Sequence, residues 1–228
     1  MRYTLLAGSL LCFFISLHAW SLLSELPSNL EIVPAPDADV GILKEEMHKL
    51  EALGFAPAGI PLELKLSPPR VVVPYYHREW AVFGLVASAG AWPPRIFRQF
   101  LTLLDAVPGS LSTFSDSRED LFPPAACEYR QLFLTTKTEE LFRHHSEAIV
   151  WLHEQGIYRK MLDPDALADE LQAIYARRRA AFLSAPLRHA IQMLLYRLAG
   201  EFPHRGSLMK QSGVPVSSEV PNEELQRV

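Results

Sequence analysis

The N-terminal segment constrains this 228-residue chain most, because a long run of residues there carries no charge. Arg2 precedes an apolar stretch from Thr4 to Leu23, and the next charged residue is Glu25. A membrane-spanning helix needs about 20 apolar residues, whereas the apolar part of a cleaved signal peptide has about 7–15. Residues 1–23 are therefore predicted to be a transmembrane anchor or a signal peptide. A buried N-terminal helix of a globular protein is the third interpretation, although such a helix normally keeps a polar face.

The charges beside this segment predict its orientation. Arg2 lies before it, and no Lys or Arg follows it until Lys44. Because basic residues are retained on the cytoplasmic side, the bulk of the chain is expected outside the cytoplasm. The predicted location is therefore the membrane or cell envelope, with the N-terminal segment in the membrane. If the segment is cleaved, the protein is secreted.

Composition excludes several classes of protein. The 22 Lys and Arg residues against 26 Asp and Glu residues give a net charge of −4, which excludes a strongly basic nucleic-acid binder, and no nucleic-acid partner is expected. The two cysteines exclude a disulfide scaffold and a Cys-rich zinc module. A hydrophobic content of 49% is typical of a folded globular chain.

Proline content and apolar periodicity divide the rest of the chain. Residues 24–36 contain three prolines and are predicted to be an extended linker. An α+β domain is predicted over 37–157 and a helical segment that packs on it over 158–202. Residues 203–228, rich in Gly, Pro, Ser and Glu, are predicted to be a disordered tail.

The predicted domain combines one helix with a series of strands. Apolar residues recur at helical spacing from Val40 to Leu53, and Gly54 is the expected helix end. Pro74 places its strand at an edge or a bulge. The strand Glu79–Ser88 is apolar on both faces, which predicts a central position. The remaining predicted strands are Leu62–Leu66, Arg70–Tyr76, Arg95–Leu104, Ser110–Ser115 and Glu128–Thr135. The fold class is therefore α+β, with an antiparallel sheet of about five strands packed by helices and a helical C-terminal segment.

One arrangement of elements carries a resemblance. The hydrophobic N-terminus is followed by a helix ending in Leu50-Glu51-Ala52-Leu53-Gly54-Phe55, by a meander of strands, and by Glu139-Glu140-Leu141-Phe142 opening another helix. Over residues 38–155 the chain resembles uncharacterised bacterial envelope-anchored α+β proteins with a helix ending in Leu-Gly-Phe. The resemblance implies a fold and an envelope location, and it implies no activity.

The densest group of possible metal ligands lies on one predicted helix. Glu140, His144 and Glu147 are spaced so that one helix face presents all three side chains, as in metal sites built from His and carboxylate. A solvated face of Glu–His pairs is the alternative interpretation. His145 falls on the apolar stripe of the same helix, where a hydrogen-bonded core histidine is expected.

No complete catalytic group is found, so no catalytic residue and no cofactor is predicted. The sequence contains no G-x-S-x-G nucleophile motif and no phosphate-binding loop. Glu128 follows Cys127 directly, and a neighbouring carboxylate raises the pKa of a thiol, which opposes a nucleophilic role.

A run of arginines marks a possible interaction surface. The residues are Arg177, Arg178, Arg179, Arg188 and Arg197, on predicted amphipathic helices. Such a basic helix lies on an anionic membrane, docks on a partner, or completes the core while its arginines stay solvated.

These observations predict a non-catalytic, membrane-anchored or exported envelope protein that acts as a binding or assembly module, with a protein partner or self-association. The first alternative is a metal-dependent or hydrolytic enzyme that uses the His/Glu helix face. The second is a peripheral membrane binder that uses the basic helix. Aromatic residues concentrated in the sheet region either line an apolar pocket or fill the core: Trp80, Phe83, Trp92, Phe97, Phe100 and Phe114.

Overall fold

The computed structural model describes residues 30–66, 69–89, 95–105, 109–115, 128–134, 137–199 and 205–210. In these ranges eight strands form one sheet: β1 (Ile32–Pro34), β2 (Ala56–Pro57), β3 (Leu62–Leu64), β4 (Arg70–His77), β5 (Val82–Ala89), β6 (Arg95–Leu104), β7 (Gly109–Phe114) and β8 (Glu128–Leu132). The same ranges hold four α-helices: α1 (Lys44–Ala52), α2 (Thr138–Glu154), α3 (Leu167–Ser184) and α4 (Pro186–Ala199).

The sheet confirms the α+β prediction. Its strand order is β1-β3-β4-β5-β6-β7-β8, and β2 also pairs with β4. All pairs are antiparallel except β7 with β8, which are parallel. The prediction of about five antiparallel strands therefore undercounts the strands and misses the parallel pair. A parallel pair requires a crossover of about a dozen residues, and residues 115–127 separate β7 from β8.

β4 is not an edge strand, so the first of the two alternatives that Pro74 predicted, an edge or a bulge, was wrong. β5 pairs with β4 along its whole length. On the other side, β3 pairs with residues 70–72 and β2 pairs with residues 75–76. Pro74 lies in the gap between these two short partners, where no ladder hydrogen bond needs its missing N–H group.

Both faces of the sheet are covered, because the central strands alternate apolar side chains toward each face. Val82 and Val86 of β5 pack into a core with α1 and α2, which we call the α1/α2 face. Phe83 and Leu85 point the other way and pack with α3 and α4, which we call the α3/α4 face. The prediction of a central strand here is confirmed.

Helix ends follow the expected turn chemistry. Gly54 and Gly156 follow α1 and α2 with positive φ values of 89° and 79°. A residue without a Cβ atom adopts this conformation without steric cost, so each helix ends in a tight reversal. Before α3, the side chain of Asp163 accepts a hydrogen bond from Asp165 N, which is the role of a capping residue.

Two predicted boundaries need correction. Ile32–Pro34, inside the predicted linker 24–36, pairs with β3 as a strand. An extended backbone can form hydrogen bonds to a neighbouring strand through its N–H and C=O groups. In the predicted tail 203–228, Leu208 is buried in the core of the α1/α2 face, and its N–H donates to Gln131 Oε1 at 2.9 Å. Residues 211–228 lie outside the described residues.

The prediction of a membrane protein with a transmembrane helix is wrong for the part of the chain that the structure describes. In that part, none of the helices combines the length and the apolar character needed to cross a bilayer. The segment 1–23, on which the prediction rested, lies outside the described residues.

Gly84 provides a test of the contact between α1 and β5. A Cβ atom at this position would lie 3.1 Å from Leu50 Cδ2 and 3.2 Å from Phe55 Cδ1, so α1 leaves no room for a side chain. We expect Gly84→Val to lower the free energy of unfolding by about 1–3 kcal/mol through overpacking, measured by urea denaturation. Ser88→Val, on the same face of β5, is the control, with an expected change below about 1 kcal/mol. Equal stabilities of the two variants would contradict this close contact.

Candidate functional site

The position of α2 is set by a buried polar network around His145. Its ring nitrogens lie 2.9 Å from Thr102 Oγ1 and 2.8 Å from Thr113 Oγ1, on β6 and β7. Gln131 of β8 donates to Thr113 Oγ1 at 2.7 Å and to the carbonyl oxygen of His144 at 3.1 Å. Burial lowers the pKa of His145 to about 3, so the ring is neutral at physiological pH. The prediction of a hydrogen-bonded core histidine is confirmed.

A second buried group fixes the beginning of α2. Glu46 of α1 accepts two hydrogen bonds from Arg98 of β6, at 2.6 and 2.8 Å, and one from the hydroxyl of Thr138. Burial alone would raise the pKa of Glu46, but hydrogen bonds from Arg98, Thr138 and Lys49 outweigh it and lower this pKa to about 2. The ionised carboxylate therefore joins α1, β6 and α2.

The end of α2 is tied back to the sheet. After Gly156 the chain reverses, and Asp105 N donates to the carbonyl oxygen of Tyr158 at 2.9 Å. Lys160 N donates to the carbonyl oxygen of Leu103 at 2.8 Å. These bonds hold Tyr158 and Arg159 beside the last residues of β6.

A groove runs along the outer side of α2. Its deep part is a cavity of about 490 Å³ lined by the β4–β5 turn, the end of β6, α2 and the segment after α2. This volume lies in the range of ligand pockets, about 300–1,000 Å³. The lining residues are Glu79, Trp80, Leu104, Ile149, Val150, His153, Ile157, Tyr158 and Arg159.

A shallower depression of about 380 Å³ extends the groove toward the C-terminal segment 205–210. Trp80 and Val150 line both parts, so the two are continuous. From Ser146 to Glu154, the last residue of α2, the groove follows about 12 Å of helix, at 1.5 Å per residue. The residues of this shallower part are Trp80, Ser146, Glu147, Val150, Trp151, Glu154 and Met209.

Trp80 occupies the middle of the groove and is held from several sides. The turn before β5 presents it, with Ala81 in the left-handed region at φ 50°. The guanidinium carbon of Arg159 lies 5.8 Å from the centroid of the indole, and Arg159 Nη1 donates to the carbonyl oxygen of Trp80 at 3.3 Å. The ring of Phe142 meets the indole edge-on at 6.4 Å. A rigid aromatic side chain with one face toward a cation suits recognition of apolar and cationic groups.

Carboxylates outnumber cations along the groove. Glu79, Glu147 and Glu154 line it, and Arg159 is the one Lys or Arg among the described lining residues. Burial slightly opposes ionisation of Glu147, but hydrogen bonds from Arg143 and His144 lower its pKa below the ordinary value. The groove therefore favours a partner with positive charge.

The residues predicted to bind metal are engaged in another way. His144 Nδ1 lies 3.2 Å from Glu147 Oε2, and its Nε2 lies 4.0 Å from Glu140 Oε1. Arg143 Nη1 lies 2.6 Å from the other oxygen of Glu147, and the ring of Phe133 stacks on His144 with centroids 3.9 Å apart. No group of three or more His, Cys, Asp or Glu residues within the described ranges is placed to hold a metal ion. In the structure these side chains contact one another and neighbouring residues along one face of α2.

The predicted arginine surface is only partly a surface. Arg178 is 1% exposed, and its guanidinium lies 2.6 Å from Glu128 Oε1 on β8, so its assignment to a surface was wrong. Burial opposes ionisation of Glu128, but Arg178 and Arg130 outweigh it and hold the pKa of Glu128 well below its ordinary value. Arg177 and Arg179 are half-buried and Arg188 is exposed, while Arg197 lies in α4 with its side chain outside the described atoms.

Comparison with known proteins gives no relative. No protein-family description, no curated protein and no solved structure matches this chain. The resemblance to envelope-anchored bacterial proteins therefore stays a prediction.

The aromatic residues divide between the core and the groove. Phe83, Phe97, Phe100 and Phe114 are buried, Trp80 lines the groove, and Trp92 lies outside the described residues. Most of the groove was not predicted from the sequence, because its walls come from distant segments. The available signal was Val150 and Trp151, which are apolar residues outside the buried stripe of α2.

The His145 network predicts a pH dependence. In the unfolded chain His145 takes up a proton near pH 6.5, whereas in the folded protein its pKa is about 3. Its contribution to stability is therefore complete above pH 6.5 and is lost as the pH falls toward 3, by about 1.4 kcal/mol per pH unit. We expect His145→Gln to be less stable at pH 7 and to lose less stability between pH 6.5 and 4.5, measured by urea denaturation.

His48→Gln, at an exposed position of α1, is the matched control and should follow the wild type at every pH. If the free energies of unfolding of the wild type and of His145→Gln differ by the same amount throughout this pH range, His145 does not titrate as described.

The Glu128 cluster predicts unequal effects for two arginines. Arg178→Met leaves Glu128 with one fewer buried cation, so we expect the free energy of unfolding to fall by about 2–4 kcal/mol. Arg188→Met changes an exposed side chain and should alter the free energy of unfolding by less than about 0.5 kcal/mol. Chemical denaturation measures both values, and similar effects would contradict the burial of Arg178.

Proposed function

We propose that this chain is a non-catalytic binding module, and that its groove along α2 binds a short, extended, basic and apolar peptide of a partner protein. The continuous groove centred on Trp80 is the observation that carries this proposal. The location outside the cytoplasm stays a prediction.

The shape of the groove supports an extended peptide. A length of about 12 Å accommodates about four residues in an extended conformation, at about 3.3 Å per residue. The deep cavity of about 490 Å³ is large enough for a bulky apolar side chain between Leu104, Ile149 and Tyr158. The shallower part takes a neighbouring side chain of the same peptide.

The charge of the groove supports a basic residue at that neighbouring position. Glu147 and Glu154 line the shallower part together with Trp80 and Trp151, and no Lys or Arg is among the described residues that line it. A Lys or Arg side chain there contacts carboxylates and an indole face together, which is a favourable setting for a cation. Arg159 lies in the deep part and leaves that part less acidic.

The test uses a phage-displayed library of random heptapeptides, panned against the purified full-length chain. We expect the enriched peptides to share a Lys or Arg next to an aromatic or large aliphatic residue. Binding of the fluorescein-labelled peptides is followed by fluorescence anisotropy. The affinity should fall when sodium chloride rises from about 50 to about 300 mM, because salt screens the attraction between the basic peptide and the carboxylates of the groove. Enriched peptides without a basic residue would contradict the proposal.

A pair of matched variants locates the binding site. Val150→Lys places a positive charge in both parts of the groove, at a position that is 47% exposed, and we expect peptide affinity to fall at least about tenfold. Ile60→Lys makes the same charge change at a position that is 48% exposed and does not line the groove. Equal affinities for the two variants would place the peptide elsewhere.

A further inference from the structure

The opposite side of the molecule carries an uncovered apolar stripe. Leu183, Leu187, Ile191 and Leu195 follow one another at four-residue spacing across the end of α3 and along α4. Their side chains are 45%, 59%, 42% and 59% exposed. We call these four residues the α3/α4 stripe. Large apolar side chains exposed as a group mark a candidate interaction surface.

The stripe is separate from the surface by which these helices join the fold. Phe182, Ala190 and Met193 are buried in the core of the α3/α4 face. α4 is therefore apolar on two sides, of which the sheet covers one. A helix that only completes a core exposes polar side chains on its outer side.

The start of the described chain lies on this same face. Leu30 is 2% exposed and belongs to the core cluster that includes α3 and α4. Its carbonyl oxygen accepts a hydrogen bond from Gln172 Nε2 of α3 at 2.9 Å. The described part of the chain therefore begins beside α3, on the side of the sheet that carries the stripe.

We infer that the apolar segment Thr4–Leu23 of this same chain covers the α3/α4 stripe. This position takes the place of the membrane anchor and the signal peptide that the sequence predicts for the segment. The distance allows it, because the six residues 24–29 reach up to about 20 Å when extended. Along α3, Gln172 and Leu183 are about 16 Å apart, at 1.5 Å per residue.

The chemistry of the two surfaces also agrees. The segment carries no charged residue between Arg2 and Glu25 and offers mainly Leu, Phe, Ala and Ile. Burying it against exposed leucines removes apolar surface of both partners from water. The stripe thus has an occupant within the same polypeptide, on the opposite side of the sheet from the proposed peptide groove.

The native Cys12 allows a direct test, because it lies within this segment. In the full-length chain with Cys127→Ser, a second thiol is introduced by Leu187→Cys on the stripe. Mild oxidation at micromolar concentration should join this thiol to Cys12 within one chain, in most molecules, as seen by non-reducing electrophoresis and peptide mass spectrometry. The matched control is Tyr158→Cys, which is exposed on the other side of the sheet and should form little disulfide with Cys12.

Four results would overturn the inference. Disulfides between two chains through Leu187→Cys would assign the stripe to a second copy of the protein. Equal disulfide formation by Leu187→Cys and Tyr158→Cys would show no preferred contact. A purified protein whose mass lacks residues 1–19 or 1–23 would show that the segment is cleaved. A protein that stays in solution only with detergent would show that the segment does not cover the stripe.

A second measurement uses the full chain without oxidation. The thiol introduced by Leu187→Cys, in the chain with Cys12→Ser and Cys127→Ser, should react with N-ethylmaleimide at least tenfold more slowly than the thiol introduced by Tyr158→Cys in the same background. Equal alkylation rates would show that the stripe is open to solvent, and would contradict the inference without bearing on the peptide groove.

Discussion

The strands β5 and β6 carry apolar side chains on both faces, so neither side of the sheet can be left in water. Phe83 and Leu101 point to the α3/α4 face, while Val82 and Phe100 point to the α1/α2 face. A one-sided α+β sandwich would leave one of these sets exposed, at a cost of about 1.5–3 kcal/mol for each large side chain. The arrangement of helices on both faces follows from this pattern. The groove along α2 and the α3/α4 stripe lie on the outer sides of these two helical layers.

Polar contacts then decide where α2 lies in its layer. Apolar packing is not directional, whereas the hydrogen bonds of His145 to two strands and of Glu46 to Arg98 and Thr138 require one position of the helix. An alternative placement would leave buried groups without partners. The groove along α2 is thus formed by the folded domain itself, and its walls do not depend on a bound partner.

Local patterns predicted the parts of the fold that are decided locally. The stretch Glu79–Ser88, apolar on both faces, indicated β5 as a central strand, and Gly54 indicated the end of α1. The parallel pairing of β8 and the burial of Arg178 depend on groups far apart in the chain, and a charged side chain in a basic run gives no local sign that Glu128 will reach it. The groove was not predicted either, because its walls come from segments that are far apart in the sequence.

The groove along α2 takes its walls from the turn at residues 78–81, from α2 with the segment after it, and from residues 205–210. Separate stretches of the sequence supply these walls, so only the folded chain presents the complete surface. Occupancy and global folding are consequently linked by mass action: a partner present at 100 times its dissociation constant would stabilise the native state by about 2.7 kcal/mol. Conversely, a substitution that loosens any distant part of the domain would weaken recognition without touching the partner.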